Sequence, residues 1–267
     1  MHLCSLYRFP LKSSAAEPLQ RADVERIGLA GDRRWMVVDA ATGAFITQRL
    51  VPSMALLTAR WVGEDALRLQ APGMPDLLAE VPPAGAELRG VRIWRESALM
   101  PDAGDDAAQW LSASLGRACR LVYLPRERAI QVDTGYASPG ERTAFTDGFP
   151  FLLIGQASLD DLSRRVGRAL PMTRFRPNLV VSGAEAYAED QWRRIRIGTL
   201  EFRVVKPCSR CIITTIDPLS GLRGEDREPL ATLQTYRKGE GGVFFGQNLI
   251  AEGEGELAVG MPVEILD

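Results

Sequence analysis

Short apolar runs separated by Pro and Gly dominate the first hundred residues of the chain. Leu3–Phe9 is apolar-rich and stops at Pro10, and Arg34–Asp39 (Arg-Trp-Met-Val-Val-Asp) is β-branched and aromatic. The second run leads through Ala40-Ala-Thr-Gly43 into Ala44–Gln48, a spacing that predicts a β-hairpin. Ala55–Val62, Ala66–Leu69 and Leu88–Trp94 read as further strands, punctuated by Pro/Gly clusters at 72–75 and 82–85. A helical period first arrives at Asp105–Leu115. Its first turn is acidic, Ala108, Trp110, Leu111 and Leu115 are apolar, and Gly116 supplies the stop. Arg120–Leu124 follows as a strand.

Residues 125–148 are polar and Gly-rich with no clear period, which places a domain boundary there: 1–124 and 125–267. Beyond it, Phe151–Ile154 reads as a short buried strand. Ser158–Leu170 reads as a helix, with Ser158 three residues before Asp161 in a capping-box arrangement. Asn178–Val181, Ile195–Ile197, Leu200–Val205, Val243–Ile250 and Pro262–Leu266 have strand character, and Pro229–Tyr236 is a helix with proline near its start. Many short strands, few helices and no regular βαβ alternation predict a β-rich α+β fold, barrel-like in form.

Composition narrows the function. The 267 residues carry 32 basic and 34 acidic side chains, a formal net charge of −2. That balance asks for no nucleic-acid backbone and no anionic membrane. The bases are mostly arginine, so a local anion site stays open. No apolar leader is visible and no run is long enough to span a bilayer, so a cytoplasmic, reducing location with free thiols is expected. The single histidine, His2, leaves histidine-ligated zinc, Ser-His-Asp triads and Cys-His nucleophile pairs without their imidazole.

Chemistry concentrates in Lys206-Pro-Cys-Ser-Arg-Cys-Ile-Ile-Thr-Thr-Ile-Asp-Pro-Leu-Ser-Gly221. Cys208 and Cys211 end a predicted strand, flanked by Lys206 and Arg210, and cations beside a thiol favour the thiolate that binds metals. A bare Cys-x-x-Cys leaves several readings open. It can be half a zinc site, although Cys4 and Cys119 lie far off as partners. It can be a redox pair, although β-branched residues and Asp-Pro follow where such pairs start a helix. It can also be two inert thiols at a strand–turn junction.

The segment resembles the signature of MOSC-domain proteins, above all the amidoxime-reducing components and their bacterial relatives that detoxify hydroxylaminopurine. The likeness covers nearly the whole chain. Tyr7-Arg-Phe-Pro-Leu-Lys-Ser13, Gly31-Asp-Arg-Arg-Trp35, Thr146-Asp-Gly-Phe-Pro150, Ser158-Leu-Asp-Asp-Leu162, Phe175-Arg-Pro-Asn178 and Phe245-Gly-Gln-Asn248 follow the family's order. The resemblance implies an N-terminal β-barrel-like MOSC domain packed on a MOSC β-barrel domain with a few helices, and a molybdenum–molybdopterin cofactor between them. It implies Cys211 as the metal ligand, a soft thiolate suited to molybdenum beside the pterin's own sulfurs.

It further implies that Lys12, Ser13 and Arg33 from the first domain, and Arg176, Asn178, Ser209 and Arg210 from the second, hold the cofactor. Gly148, Phe149 and Asn248 are weaker members of that set. Asp217 is expected either at the substrate face or as the brace of its turn. Cys208, Cys4 and Cys119 are expected to be structural. The implied activity is reduction of N-hydroxylated compounds (hydroxylamines, N-oxides and amidoximes) with electrons from a separate ferredoxin- or flavoprotein-type donor. The alternative is a sulfur or molybdenum-cofactor carrier that holds a persulfide on Cys211.

Overall fold

A computed structural model describes residues 1–93 and 96–267. Its largest element is a sheet built on eight strands: β1 (His2–Arg8), β2 (Glu17–Leu19), β3 (Phe151–Gly155), β4 (Leu179–Ser182), β5 (Arg194–Ile197), β6 (Leu200–Ser209), β7 (Gly242–Ala251) and β8 (Val263–Ile265). They lie in the order β2-β1-β4-β3-β7-β6-β5-β8, and a short ninth strand, Lys238–Gly239, pairs with β7. Only β3 and β4 run parallel, joined by helix α1 (Gln156–Val166); the other pairs are antiparallel.

The ladder is open, so the expected barrel does not close. Its ends still meet: Leu3 N–H bonds Met261 O (2.9 Å), Gly260 N–H bonds Leu3 O (2.8 Å) and His2 bridges Pro262. Strand alternation explains why the sheet is covered on both faces. Phe151 and Leu153 turn inward with Leu3, Leu179, Ile195, Phe202 and Leu249. Leu152 and Ile154 turn the other way, against Leu159 and Leu162 of α1, Leu233 of helix α2 (Leu230–Tyr236) and Phe245.

Of the small separate sheets, the one made by Arg21–Glu25, Gly28–Leu29 and Gly255–Ala258 sends Val24, Leu29 and Leu257 into this same first core, while Trp35–Asp39, Thr58–Val62 and Ala66–Gln70 build a second. Trp35–Asp39 pairs antiparallel with Cys119–Tyr123, and Trp35, Met36, Val37 and Val38 are each fully buried. A strand buried on both faces reads as an unbroken apolar run, which is why this one was plain in the sequence. Helix Asp105–Leu115 forms over its expected span and ends on Gly116, whose left-handed φ of 66° suits glycine. Ala44–Gln48 forms the expected hairpin only over its first residues, where Asp39 N–H bonds Ala44 O and Ile46 N–H bonds Val37 O, both at 2.8 Å. Phe45 bridges Val38 and turns its own N–H to Arg92 O at 3.2 Å, while Cys119–Tyr123 pairs along the opposite edge of Trp35–Asp39. The strand expected over Leu88–Trp94 forms to Ile93; Trp94 lies outside the described residues.

Two helix expectations need correction. Helix α1 starts at Gln156, not Ser158, and the capping box is absent. A remote carboxylate replaces it: Glu189 accepts the Gly155 N–H at 3.0 Å and the Ser158 hydroxyl at 2.7 Å. The helix also stops at Gly167, short of Leu170. Among the described residues no helix is long and apolar enough to cross a membrane.

Asp102 anchors the second core. Its side chain is 2% exposed and bonds Arg120, Arg89 and the Gly104 N–H at 2.6–2.9 Å. Burial works against its charge, but those donors outweigh burial and hold the carboxyl below its usual range. A carboxyl depressed by folding stabilises the native state above its unfolded value, near 3.9, and loses that contribution as pH falls through the folded value. Asp102→Ala is therefore expected to cost about 2–3 kcal/mol at neutral pH, since it strands two guanidinium groups. The gap from wild type should narrow at pH 3, and urea midpoints at the two pH values check both parts.

Candidate active site

A cavity of about 330 Å³ opens where the two cores meet, within the size range of small-molecule sites. The turn after β1 contributes Lys12 and Ser13, and the 31–35 segment contributes Arg33. These segments are braided: Lys12 N–H bonds Trp35 O at 2.8 Å, Arg33 N–H bonds Phe9 O at 2.8 Å, and Phe145 N–H bonds Arg33 O at 3.0 Å. Five non-glycine residues among those described have positive φ. Three of them, Ser13 (70°), Arg33 (46°) and Arg176 (58°), line this cavity. Each left-handed residue costs on the order of 1–2 kcal/mol, and such costs persist where surrounding bonds over-determine the backbone.

Two irregularities in the β6–β7 pairing, at Val204/Lys206 and Pro207/Ser209, bend β6 around the cavity. Just past its end, the Cys211 carbonyl accepts the Thr214 N–H (3.1 Å) and hydroxyl (2.9 Å), which starts a short 3₁₀ turn over Ile212–Thr215. The Cys211 sulfur is partly exposed in the cavity wall. From the opposite wall, 162 residues earlier in the chain, Arg49 brings Nη2 to 3.3 Å from that sulfur. Cys208 was expected to be buried, but it is only partly so and also lines the cavity, its Sγ 2.9 Å from Arg210 Nη1.

The cavity is strongly cationic. Lys12, Arg33, Arg176 and Arg210, expected at the cofactor, are joined by Lys206, noted from the sequence only as a neighbour of the cysteines, and by Arg49 and Arg174, which were not singled out. The only carboxylate lining it among the described residues is Asp147. Desolvation opposes the Asp147 charge, but Lys12 at 2.5 Å, Arg49 at 3.5 Å and the nearby Arg33 hold its carboxyl well below the usual range. Burial, and then the charge of Arg33, press against the positive form of Arg176. A guanidinium keeps its proton even so, so an anion is what relieves the cost. Arg176 Nη2 and Arg210 Nε are buried without a hydrogen-bond partner, as the same charge excess would leave them.

Bonding separates the expected site residues by role. Lys12 spends its three donors on Phe145 O, Thr146 O and Asp147 Oδ1, so it braces the 145–147 loop and adds charge. Asn178, 1% exposed, accepts from Arg33 Nη1 and the Leu152 N–H and donates to Tyr7 O, so its amide is committed to the scaffold. Arg33 and Arg176 both pack against the Phe9 ring, at 4.6 and 4.2 Å from its centroid. Ser13, Ser209 and Phe149 line the cavity, as does Asn248, which donates to Lys206 O at 3.2 Å.

Gly148 and Asp217 do not line the cavity. Asp217 accepts the Leu219 and Ser220 N–H groups, which braces its turn, and it reaches the site only by holding Arg174 at 2.8 Å. Asp147 had a visible signal, since it sits inside the Thr146–Pro150 motif. Arg49 and Arg174 had none strong enough to separate them from surface arginines.

Nowhere among the described residues do three His, Cys, Asp or Glu side chains converge as metal ligands. A metal at Cys211 would thus bring most of its ligands along. The Cys211 sulfur beside a cationic wall, with Cys208 Sγ taken up by Arg210, fits a sulfur-chelated metal on a phosphorylated carrier, the donor set of molybdenum–molybdopterin.

Comparison with known proteins adds to this geometry. Residues 1–118 match the MOSC N-terminal beta barrel domain and residues 140–264 match the MOSC domain. Mitochondrial amidoxime-reducing component 1 of Mus musculus is 35% identical over 281 residues, spanning 99% of this chain and 82% of the relative. The Homo sapiens protein of that name is 34% identical with the same coverage. Mitochondrial amidoxime reducing component 2 of Bos taurus is 32% identical over 97% of this chain and 81% of its own length. A solved structure, the YUAD protein from Bacillus subtilis, superposes over 98% of this chain and 93% of that one, with 10% identity and a TM-score of 0.41.

Proposed function

This chain belongs to the MOSC-domain family that includes the amidoxime-reducing components, and we propose that it reduces N-hydroxylated compounds at a molybdenum–molybdopterin cofactor held in the cationic cavity. The observation that carries the reading is the partly exposed Cys211 sulfur set in a wall of seven cationic side chains and one carboxylate. The overall change is R–NHOH + 2 e⁻ + 2 H⁺ → R–NH₂ + H₂O, or for an amidoxime the matching step to the amidine. The cofactor, when bound, supplies two-electron oxygen-atom chemistry at the N–O bond.

The chain's own residues bind and orient. Cys211 Sγ would be the protein's sulfur ligand. Arg33, Arg176 and Arg210 would hold the phosphate, while Asn178 and Asp32 fix Arg33 and Lys12 fixes the 145–147 loop. Ser209 and Asn248 offer polar contacts, and Phe149 offers an apolar face. Against the cost of desolvation, Lys12, Arg49 and Arg33 hold the Asp147 carboxyl well below its usual range, so it would serve as an ion-pair partner in the wall and not as a proton donor. Electrons come from a separate ferredoxin- or flavoprotein-type donor.

The proposal extends to organisation and place. Units 1–124 and 125–267 each give one wall of the cavity, although β1 crosses over to pair with β4. Four unpaired cysteines favour a reducing compartment, such as a bacterial cytoplasm. The test is turnover: protein loaded in cofactor-competent cells, given reduced viologen without oxygen, is expected to convert benzamidoxime to benzamidine. Loaded protein that leaves benzamidoxime and aromatic hydroxylamines untouched would contradict the reading.

A further inference from the structure

One edge of the cavity carries aromatic rings. Phe149 lines the wall there, and Tyr136 stands edge-to-face with it, the ring centroids 5.9 Å apart and the planes at 78°. Tyr136 is not part of the cavity lining. It is 40% exposed and touches two residues that do line the cavity, which puts it on the rim. The second of those residues is Lys206, whose ammonium lies over the Tyr136 ring, 4.3 Å from its centroid. Among the described residues that ammonium makes no ion pair, so the ring is its partner.

The loop that carries Tyr136 has little freedom. Asp133 O accepts the Tyr136 and Ala137 N–H groups at 2.9 and 3.0 Å. Gln131 Nε2 donates to Ser138 O and Glu141 O, and Glu141 pairs with Arg203 of β6. Beneath, Val132 and Ala137 are buried against Ile250 of β7, with Val205 and Phe149 packed alongside. A large ring left in water on a fixed backbone has already lost its ordering entropy, so another ring can pack on it at little cost. Space points the same way. With a pterin inside a cavity of about 330 Å³, a substrate whose N–O group reaches Cys211 must leave its body at the mouth.

We propose that Tyr136, with Phe149 behind it and Lys206 over it, forms a rim that seats the aryl group of N-hydroxylated substrates, so that aryl compounds are preferred over alkyl ones. This rests on the reductase reading for its substrates but not for the rim itself, and the experiment separates the two. The first arm uses the full-length chain purified without pterin. Cys211 is alkylated with N-benzyliodoacetamide and, separately, with iodoacetamide at one pH, and the labelled Cys211 peptide is counted by mass spectrometry. The two reagents share their reacting group, so the ratio of their rates reports the seating of the benzyl ring and not the reactivity of the sulfur. Tyr136→Ala is expected to lower the benzyl preference about fivefold, the worth of one aromatic pair. Tyr136→Phe keeps the ring and is expected to keep most of the preference.

The second arm uses loaded protein and compares kcat/KM for benzamidoxime with that for acetamidoxime. The preference for the aryl compound should fall about fivefold in Tyr136→Ala, through KM, and persist in Tyr136→Phe. An unchanged alkylation ratio would overturn the rim. An equal loss on both amidoximes would overturn the substrate preference and leave Tyr136 as a brace of its loop. A shifted alkylation ratio in a chain that reduces neither compound would uphold the rim and reject the reductase reading.

Discussion

Cys211→Ser protein from cofactor-competent cells is expected to lose its molybdenum and all N–O reduction while keeping its fold. The sulfur is the only soft donor of the expected set, and a serine oxygen is too hard and too weakly acidic to replace it. Little else depends on the side chain. It is partly exposed, and its recorded hydrogen bond is the one from Arg49. A change at such a position stays within about 0.5 kcal/mol of wild type, so the thermal midpoint should barely move. The phosphate grip is separate, through Arg33, Arg176 and Arg210, so some pterin should remain bound without metal. Metal analysis and turnover on one preparation check this. A serine variant that keeps both would remove Cys211 from the site.

Asp32→Ala is expected to damage fold and site together. Asp32 is 2% exposed; Oδ1 accepts the Phe9 N–H at 2.7 Å and Oδ2 accepts Arg33 Nη1 at 2.5 Å. Without it the buried Arg33 loses its carboxylate and the Phe9 N–H loses its acceptor. Breaking one side of a buried ion pair costs about 3–5 kcal/mol. Arg33 also bonds Asn178 Oδ1 and Arg176 O, so its release loosens the contact between the two cores and the phosphate wall. Urea unfolding should show the loss of stability, and pterin retention should fall even though Cys211 is intact. Asp32→Asn keeps an acceptor for Phe9 and should be milder in both assays. A cost under about 1 kcal/mol for the alanine variant would show that Arg33 finds another partner.

Elements governed by a local period were legible from the sequence. Asp105–Leu115 has its acidic first turn and its glycine stop, and Trp35–Asp39 has its unbroken apolar run. Pairings set by distant partners were not. Ala44–Gln48 looked like a full hairpin strand because nothing local says that Phe45, after one bridge to Val38, gives its N–H to Arg92. Ser158 looked like a cap because Glu189, which takes over that task, lies 31 residues on. The same divide runs through the site. Cys211, Arg33, Arg176 and Asn178 sit in ordered motifs and converge in space. Arg49 joins them only through folding, and nothing in Gln48-Arg49-Leu50 marks it from other surface arginines. Lys12 was found but its bonding was not: three protein acceptors take the donors that its motif suggested for phosphate.

The central claim, that this cavity holds a molybdenum cofactor through Cys211, is tested most directly by metal and pterin analysis of wild-type protein from cofactor-competent cells. The account predicts molybdenum and molybdopterin stoichiometric with the chain. Zinc held between Cys208 and Cys211 with no pterin, or transferable sulfur on Cys211 with no metal, would contradict it.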